Sequence, residues 1–199
     1  ILRGILADGL LAGPKSYGSE IQMILSPAYR TEDAYISELV ASLSQINAGV
    51  TTGVDTSQVS HTPEHTDACI DGLNTAGRRT LFAYSQGVGP GMKYPDDIRR
   101  LRTRYFSSND QLLTLAMGGG LNANIWSLAR EVGVPIVNHV VGNPALLEGL
   151  GKAGLMRSDN EYIHCTQLTE TAWKMIADSG GKVSIATAIE MQMRHGMPP

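Results

Sequence analysis

Two stretches decide how this chain is read: VPIVNHVVGNP (134–144) and EYIHCTQLTE (161–170). In each, a short β-type run delivers a histidine at a polar turn, and a helical pattern starts just beyond it. The run 134–137 leads to His139, and Tyr162-Ile163 leads to His164. A strand followed at once by a helix is the repeating unit of a parallel sheet. Two such units, each ending its strand in an imidazole, raise the question of a metal site and its remaining ligands.

Outward from these stretches the same alternation covers the chain. The spacing predicts strands at 49–55 (GVTTGVD), 79–84 (RTLFAY), 112–117 (LLTLAM), 134–139, 161–164 and 182–188 (KVSIATA). Their starts fall about 20 to 35 residues apart, the length of a βα unit and too long for hairpins. Helices fill the gaps with readable ends. Thr62-Pro63-Glu64 offers an N-cap, a first-turn proline and an acid, with Gly77 as the stop. Asn143-Pro144 opens another that ends at Gly151 or Gly154, and Thr169-Glu170 opens a third before Gly180-Gly181. Upstream, Thr31-Glu32-Asp33 caps a helix carrying Ala34, Leu39, Val40, Leu43 and Ile46.

Composition bounds the function. With 199 residues and 42% hydrophobic content, the chain can bury one sizeable core, so one domain over 1–199 is expected. A net charge of −3 with mixed signs gives neither a basic stripe for nucleic acid nor a polybasic membrane patch. The cluster Arg99, Arg100, Arg102 and Arg104 reads as a solvated helix face. Two cysteines without a CxxC spacing point to a reducing, cytoplasmic setting. No apolar run reaches the ~20 residues that span a bilayer. The chain opens on Ile1, which suggests that its natural start lies upstream.

Runs of βα units fit either a closed (β/α)8 barrel or an open doubly wound sheet. A dinucleotide sheet needs GxGxxG after its first strand. GVGPGMKYP (87–95) and MGGGLNAN (117–124) lack that spacing, and Pro90 removes an amide that a phosphate would use. Both read as flexible loops at the carboxyl end of the sheet, where a barrel holds its active site. Neighbouring parallel strands run ~5 Å apart, so His139 and His164 can share one cation or one water. A lone histidine in such a place is more often a buried ring satisfied by hydrogen bonds, and two at equivalent positions shift the balance toward function. Two nitrogens do not complete a zinc site, and His61, His65 and His195 form neither HxH nor HExxH.

Five blocks together resemble the amidohydrolase superfamily, in particular its branch with cytosine deaminase, guanine deaminase and atrazine chlorohydrolase. They are NAGVTTGVDTS (47–57), TPEHTDACIDGL (62–73), VNHVVG (137–142), YIHCTQLTE (162–170) and IADSGGKVSIATAIEMQMRHGMPP (176–199). The resemblance implies an α/β fold of the (β/α)8 TIM-barrel type, partial here, with about six of eight βα units present. It implies hydrolytic deamination or dechlorination of a nitrogen-containing ring compound by a metal-activated water. It makes His139 the fifth-strand metal ligand, and His164 the sixth-strand residue that assists the water or binds a second metal. The cofactor so implied is a divalent metal, zinc or iron. The family's first-strand HxH precedes ILRGILADG and its eighth-strand Asp follows HGMPP, so the chain resembles a middle portion of such an enzyme. Many relatives read HxxE where this sequence has His139 and Gly142, so the general acid/base has no owner on that strand.

Other residues complete the expectations. Glu190 can hydrogen-bond a substrate amino group or face solvent, and His61 can face substrate from a loop. Asp55 ends its strand at the rim or caps a turn, and His65 reads as surface. Cys165, next to His164 on a strand, points to the opposite face and packs under a helix. Met191 and Met193 offer adaptable apolar surface. The expected partners are a small-molecule substrate and further copies of the chain, with no nucleic acid and no membrane. The alternative is a catalytically inactive truncated barrel serving as a structural or binding scaffold.

Overall fold

A computed structural model describes residues 14–199. Six parallel strands form one sheet in the order β1-β2-β3-β4-β5-β6: Thr52–Ser57, Arg79–Tyr84, Leu113–Gly119, Ile136–Val141, Asn160–Thr166 and Lys182–Ser184. The sheet curls into part of a (β/α)8 barrel. Helices α1 (Thr31–Asn47), α2 (Pro63–Ala76), α3 (Ile98–Arg104), α4 (Ala123–Val132), α5 (Pro144–Lys152), α6 (Glu170–Ser179) and α7 (Thr187–Gln192) alternate with the strands. A helical segment of π type, Tyr17–Leu25, precedes α1.

The caps act where the sequence places them. The Thr62 and Thr169 hydroxyls accept the amides of His65 and Ala172, and Gly77 and Gly180 close their helices in the left-handed conformation. One cap differs: α1 is capped by Arg30, whose amide donates to the Asp33 carboxylate at 2.9 Å. Five of the six strands differ from their expected bounds as well, and for two of them a local contact shows why. β4 starts two residues later than expected, because the Val134 amide still closes the last turn of α4 on the Ala129 carbonyl. β6 is only three residues long, because the chain turns at Ala186 into α7.

Two apolar layers hold the sheet. On one face, Phe82, Leu115, Ile136 and Tyr162 meet Ile70, Leu101, Trp126, Leu147 and Ile176 of the helices. On the other, a small cluster of Ala83, Ala116 and Val137 is flanked by Leu81 and Ile163. Strand side chains alternate between faces, so His139, two residues after Val137, belongs to this narrower face. The Trp126 indole donates to Asn138 Oδ1 at 2.8 Å on the helix side, which fixes the alternation one residue before His139.

The arginine cluster falls on α3, where Arg100 bridges Asp67 and Asp97, and Arg99 bridges Glu131. Arg130 ties α4 to β5 through the Asp159 carboxylate, the Asn160 side chain and the Leu155 carbonyl. Among the described residues no helix is long and apolar enough to cross a membrane.

Candidate metal centre

His139 and His164 converge. Nδ1 of His139 lies 3.4 Å from Nε2 of His164, and the ring planes are 29° apart. That separation is long for a hydrogen bond. It is about the distance that two nitrogens keep when each sits ~2.0–2.1 Å from one tetrahedral zinc. The donor set therefore fits two ligands of a divalent metal. Among the described residues no group of three or more His, Cys, Asp or Glu is placed to hold one.

The backbone of β5 is bent to aim His164. Val140 pairs with His164 and Val141 with Thr166, so Cys165 is an extra residue, a bulge in the strand. His164, Cys165 and Gln167 all take positive φ, of 75°, 54° and 59°. Such conformations cost about 1–3 kcal/mol each in residues other than glycine, and they persist where the surrounding structure enforces them. The bulge sends the Cys165 side chain into the core on the helix side, where burial pushes its thiol up to about 12. A thiol that holds its proton is no nucleophile at neutral pH.

Glu190 supplies the second contact of His164. Its Oε1 lies 2.6 Å from His164 Nδ1 and accepts the Ala186 amide at 2.9 Å. The carboxylate is fully buried, so the solvent-facing position does not describe it. Burial raises its pKa, but the bonds from His164 and the Ala186 amide outweigh that and leave it lowered. The bend into α7 that cuts β6 short brings this side chain under β5. His195, expected in a tail, is buried edge-on against His164 at 4.6 Å between ring centroids. Its amide donates to the Glu190 carbonyl at 2.9 Å.

A cavity of about 510 Å³ opens over these rings. His139, His164 and His195 line it, together with Tyr17, Gln22 and Met23 of the π-type segment, Gln58, the loop 85–88, Gly119, Gly120, Val141, Ile189 and Met193. His61 is not among the lining residues. Its Nε2 meets the Ser26 carbonyl at 2.8 Å and its Nδ1 accepts the Val88 amide at 3.0 Å, so the ring clamps three segments together. The loop at 85–88 packs closely on the β1–α2 loop: a Cβ on Gly87 would collide with the Ser60 carbonyl. His65 is half-buried instead of surface-exposed, and it bridges the Thr62 hydroxyl and the Tyr29 carbonyl. Asp55 sits within β1, away from the cavity lining. Its parity is that of Ser57, which contacts Cys69 of α2, and its charge acts on Glu38 of α1.

Solved structures share this architecture. A zinc-bound adenosine deaminase from Xanthomonas campestris superposes with a TM-score of 0.75 at 16% identity, over 92% of this chain and 46% of that one. The chain shares the fold of that structure. An amidohydrolase from Brucella melitensis matches with a TM-score of 0.74 at 16% identity, over 96% of this chain and 52% of its own. A mutant of the atrazine chlorohydrolase TrzN from Arthrobacter aurescens TC1, complexed with zinc and atraton, gives 0.74 at 16% identity, over 97% and 55%. The chain spans about half the length of these structures. No protein-family model and no curated protein sequence matches it.

Proposed function

We propose that the chain forms the His139–His164 wall of a metal-dependent hydrolase acting on a nitrogen-containing ring, by deamination or dechlorination. The observation that carries the reading is the pair of imidazole nitrogens 3.4 Å apart on the wall of a cavity. His139 and His164 would hold the cation, zinc or iron. When bound, such a metal supplies a Lewis acid that brings the pKa of water toward neutrality. His164, anchored by Glu190, orients its Nε2 toward the cavity, and His195 closes the edge of the ring against bulk water.

The size and lining of the cavity suit a small planar substrate. Three glutamines, Gln22, Gln58 and Gln86, offer amide donors and acceptors for ring nitrogens, while Val88, Val141, Ile189 and Met193 offer apolar faces. A soluble, cytoplasmic, self-associating enzyme belongs to the same proposal. The test is release of ammonia or chloride from a panel of amino- and chloro-substituted triazines, pyrimidines and purines by the zinc-supplemented chain. Turnover that disappears in His139→Ala and His164→Ala supports the reading, and none across the panel overturns it for this chain.

A second reading, an inactive barrel wall that serves as a scaffold, draws on the shortage of ligands among the described residues. Two imidazoles alone bind zinc weakly, and a scaffold needs no more. Zinc affinity and turnover together separate the two.

A further inference from the structure

We propose that Glu190 is a positioning residue for His164, holding the ring in the tautomer with its proton on Nδ1. Two contacts at one oxygen carry the argument. Oε1 accepts the Ala186 amide at 2.9 Å, and an amide can only donate, so this oxygen presents lone pairs. The same oxygen lies 2.6 Å from His164 Nδ1, and as an ionised carboxylate it can only accept there too, which places the proton between them on the ring. Nε2 then carries the lone pair, and it is Nε2 that faces Nδ1 of His139.

The local fold is built around this contact. Glu190 has no solvent exposure and is absent from the cavity lining, so it acts only through His164. It stands on α7, immediately after β6 turns away from the sheet, and the Ala186 amide that orients it lies at that turn. On the other side, the bulge at Cys165 and the positive φ of His164 set the ring angle. Two irregular segments, 26 residues apart along the chain between His164 and Glu190, thus meet at one hydrogen bond. A carboxylate behind an imidazole fixes tautomer and ring orientation and strengthens the opposite nitrogen as a ligand.

The tautomer can be read without any variant, on the full chain labelled with 15N-histidine and studied at alkaline pH, where the rings are neutral. His164 is assigned by the loss of its signals in His164→Gln. The expected result is a protonated Nδ1 and a pyridine-like Nε2. In Glu190→Ala, with unchanged circular dichroism, the ring shifts toward the Nε2-protonated form. Zinc affinity, measured by calorimetry, falls about 10- to 100-fold in the same variant. An Nε2-protonated His164 in the wild type, or an unchanged tautomer in a folded Glu190→Ala, overturns the proposal. Only the zinc measurement rests on the metal-site reading. A wild type with the Nδ1 tautomer and no zinc binding keeps Glu190 in its role and removes the metal.

Discussion

Nδ1 of His139 and Nε2 of His164 stand 3.4 Å apart, at the bite of one tetrahedral cation, on strands that are hydrogen-bonded neighbours. A complete structural zinc site contributes about 10–16 kcal/mol of apparent binding free energy from three or four protein ligands. The two imidazoles that converge among the described residues supply a fraction of that. The 199-residue chain is therefore expected to retain much less than one zinc per molecule after dialysis, measured by elemental analysis. His139→Ala should remove the weak binding that remains. Stoichiometric, tightly held zinc lost on His139→Ala would reveal a further ligand and overturn this expectation.

His61 is expected to matter for stability rather than for substrate. Its ring links Ser26, ahead of α1, to the β1–α2 loop that carries it and to Val88 in the loop after β2. Truncation to alanine leaves the part-buried Val88 amide and the buried Ser26 carbonyl without these bonds, at a cost of about 1–3 kcal/mol. In a domain of this size that is roughly a 2–12 °C fall in Tm. Burial also lowers the pKa of His61 below its usual 6.5. The unfolded chain then binds the proton more readily, so the neutral ring's contribution is present above pH 6.5 and is lost as pH falls below it. Thermal melts of wild type and His61→Ala at pH 5, 6 and 8 check both points. Equal melting temperatures for the two proteins would contradict the clamp.

The order of the sheet was legible because each β-type run is closed by a local signal. The Thr62 and Thr169 caps and the glycines at 77 and 180 act within one helical turn, and each fixes where a unit starts or stops. The convergence of His139 and His164 followed from that order. Their fine geometry did not, because it depends on a bulge at Cys165 and on positive φ in residues other than glycine, which no composition marks. Glu190 and His195 were illegible as neighbours of His164 for a different reason. They arrive through a three-residue strand and a six-residue helix, both too short for a periodic pattern. His61 was misjudged because a loop histidine looks free until the segment at Ser26 packs against it.

Glu38 should make stability fall with rising pH. It lies on α1, where burial and the nearby charge of Asp55 push its carboxyl up to about 8. The folded chain then binds the proton more tightly than the unfolded chain, whose carboxyl titrates near 4.5. Stability is therefore highest below that value and is lost as pH rises toward about 8. Glu38→Gln removes the ionisable group. It is expected to match wild type near pH 5 and to exceed it by about 1–3 kcal/mol at pH 9. Urea denaturation at pH 5, 7 and 9 measures the difference, and parallel profiles for the two proteins would rule the effect out.

The edges of the sheet should drive self-association. Among the described residues β1 and β6 each pair on one side only, leaving a row of backbone amides and carbonyls open at each edge. Apolar side chains accompany both rows: Val50 and Val54 at β1, Val183 and Ile185 at β6, each 38–45% exposed. The outer side of α1 adds Ile36, Val40, Leu43 and Ile46, spaced three to four residues apart as one helical stripe and 41–53% exposed. Apolar surface contributes about 25 cal/mol per Å² when covered, so covering these positions favours association. A single charge on an edge strand opposes pairing by desolvation and repulsion, so Val54→Lys should weaken assembly without touching the buried core. Light scattering across a concentration series is expected to give dimers or larger species for the 199-residue chain and a lower mass for Val54→Lys. A monodisperse monomer with cooperative unfolding would mean that these edges are already protected and would sink the prediction.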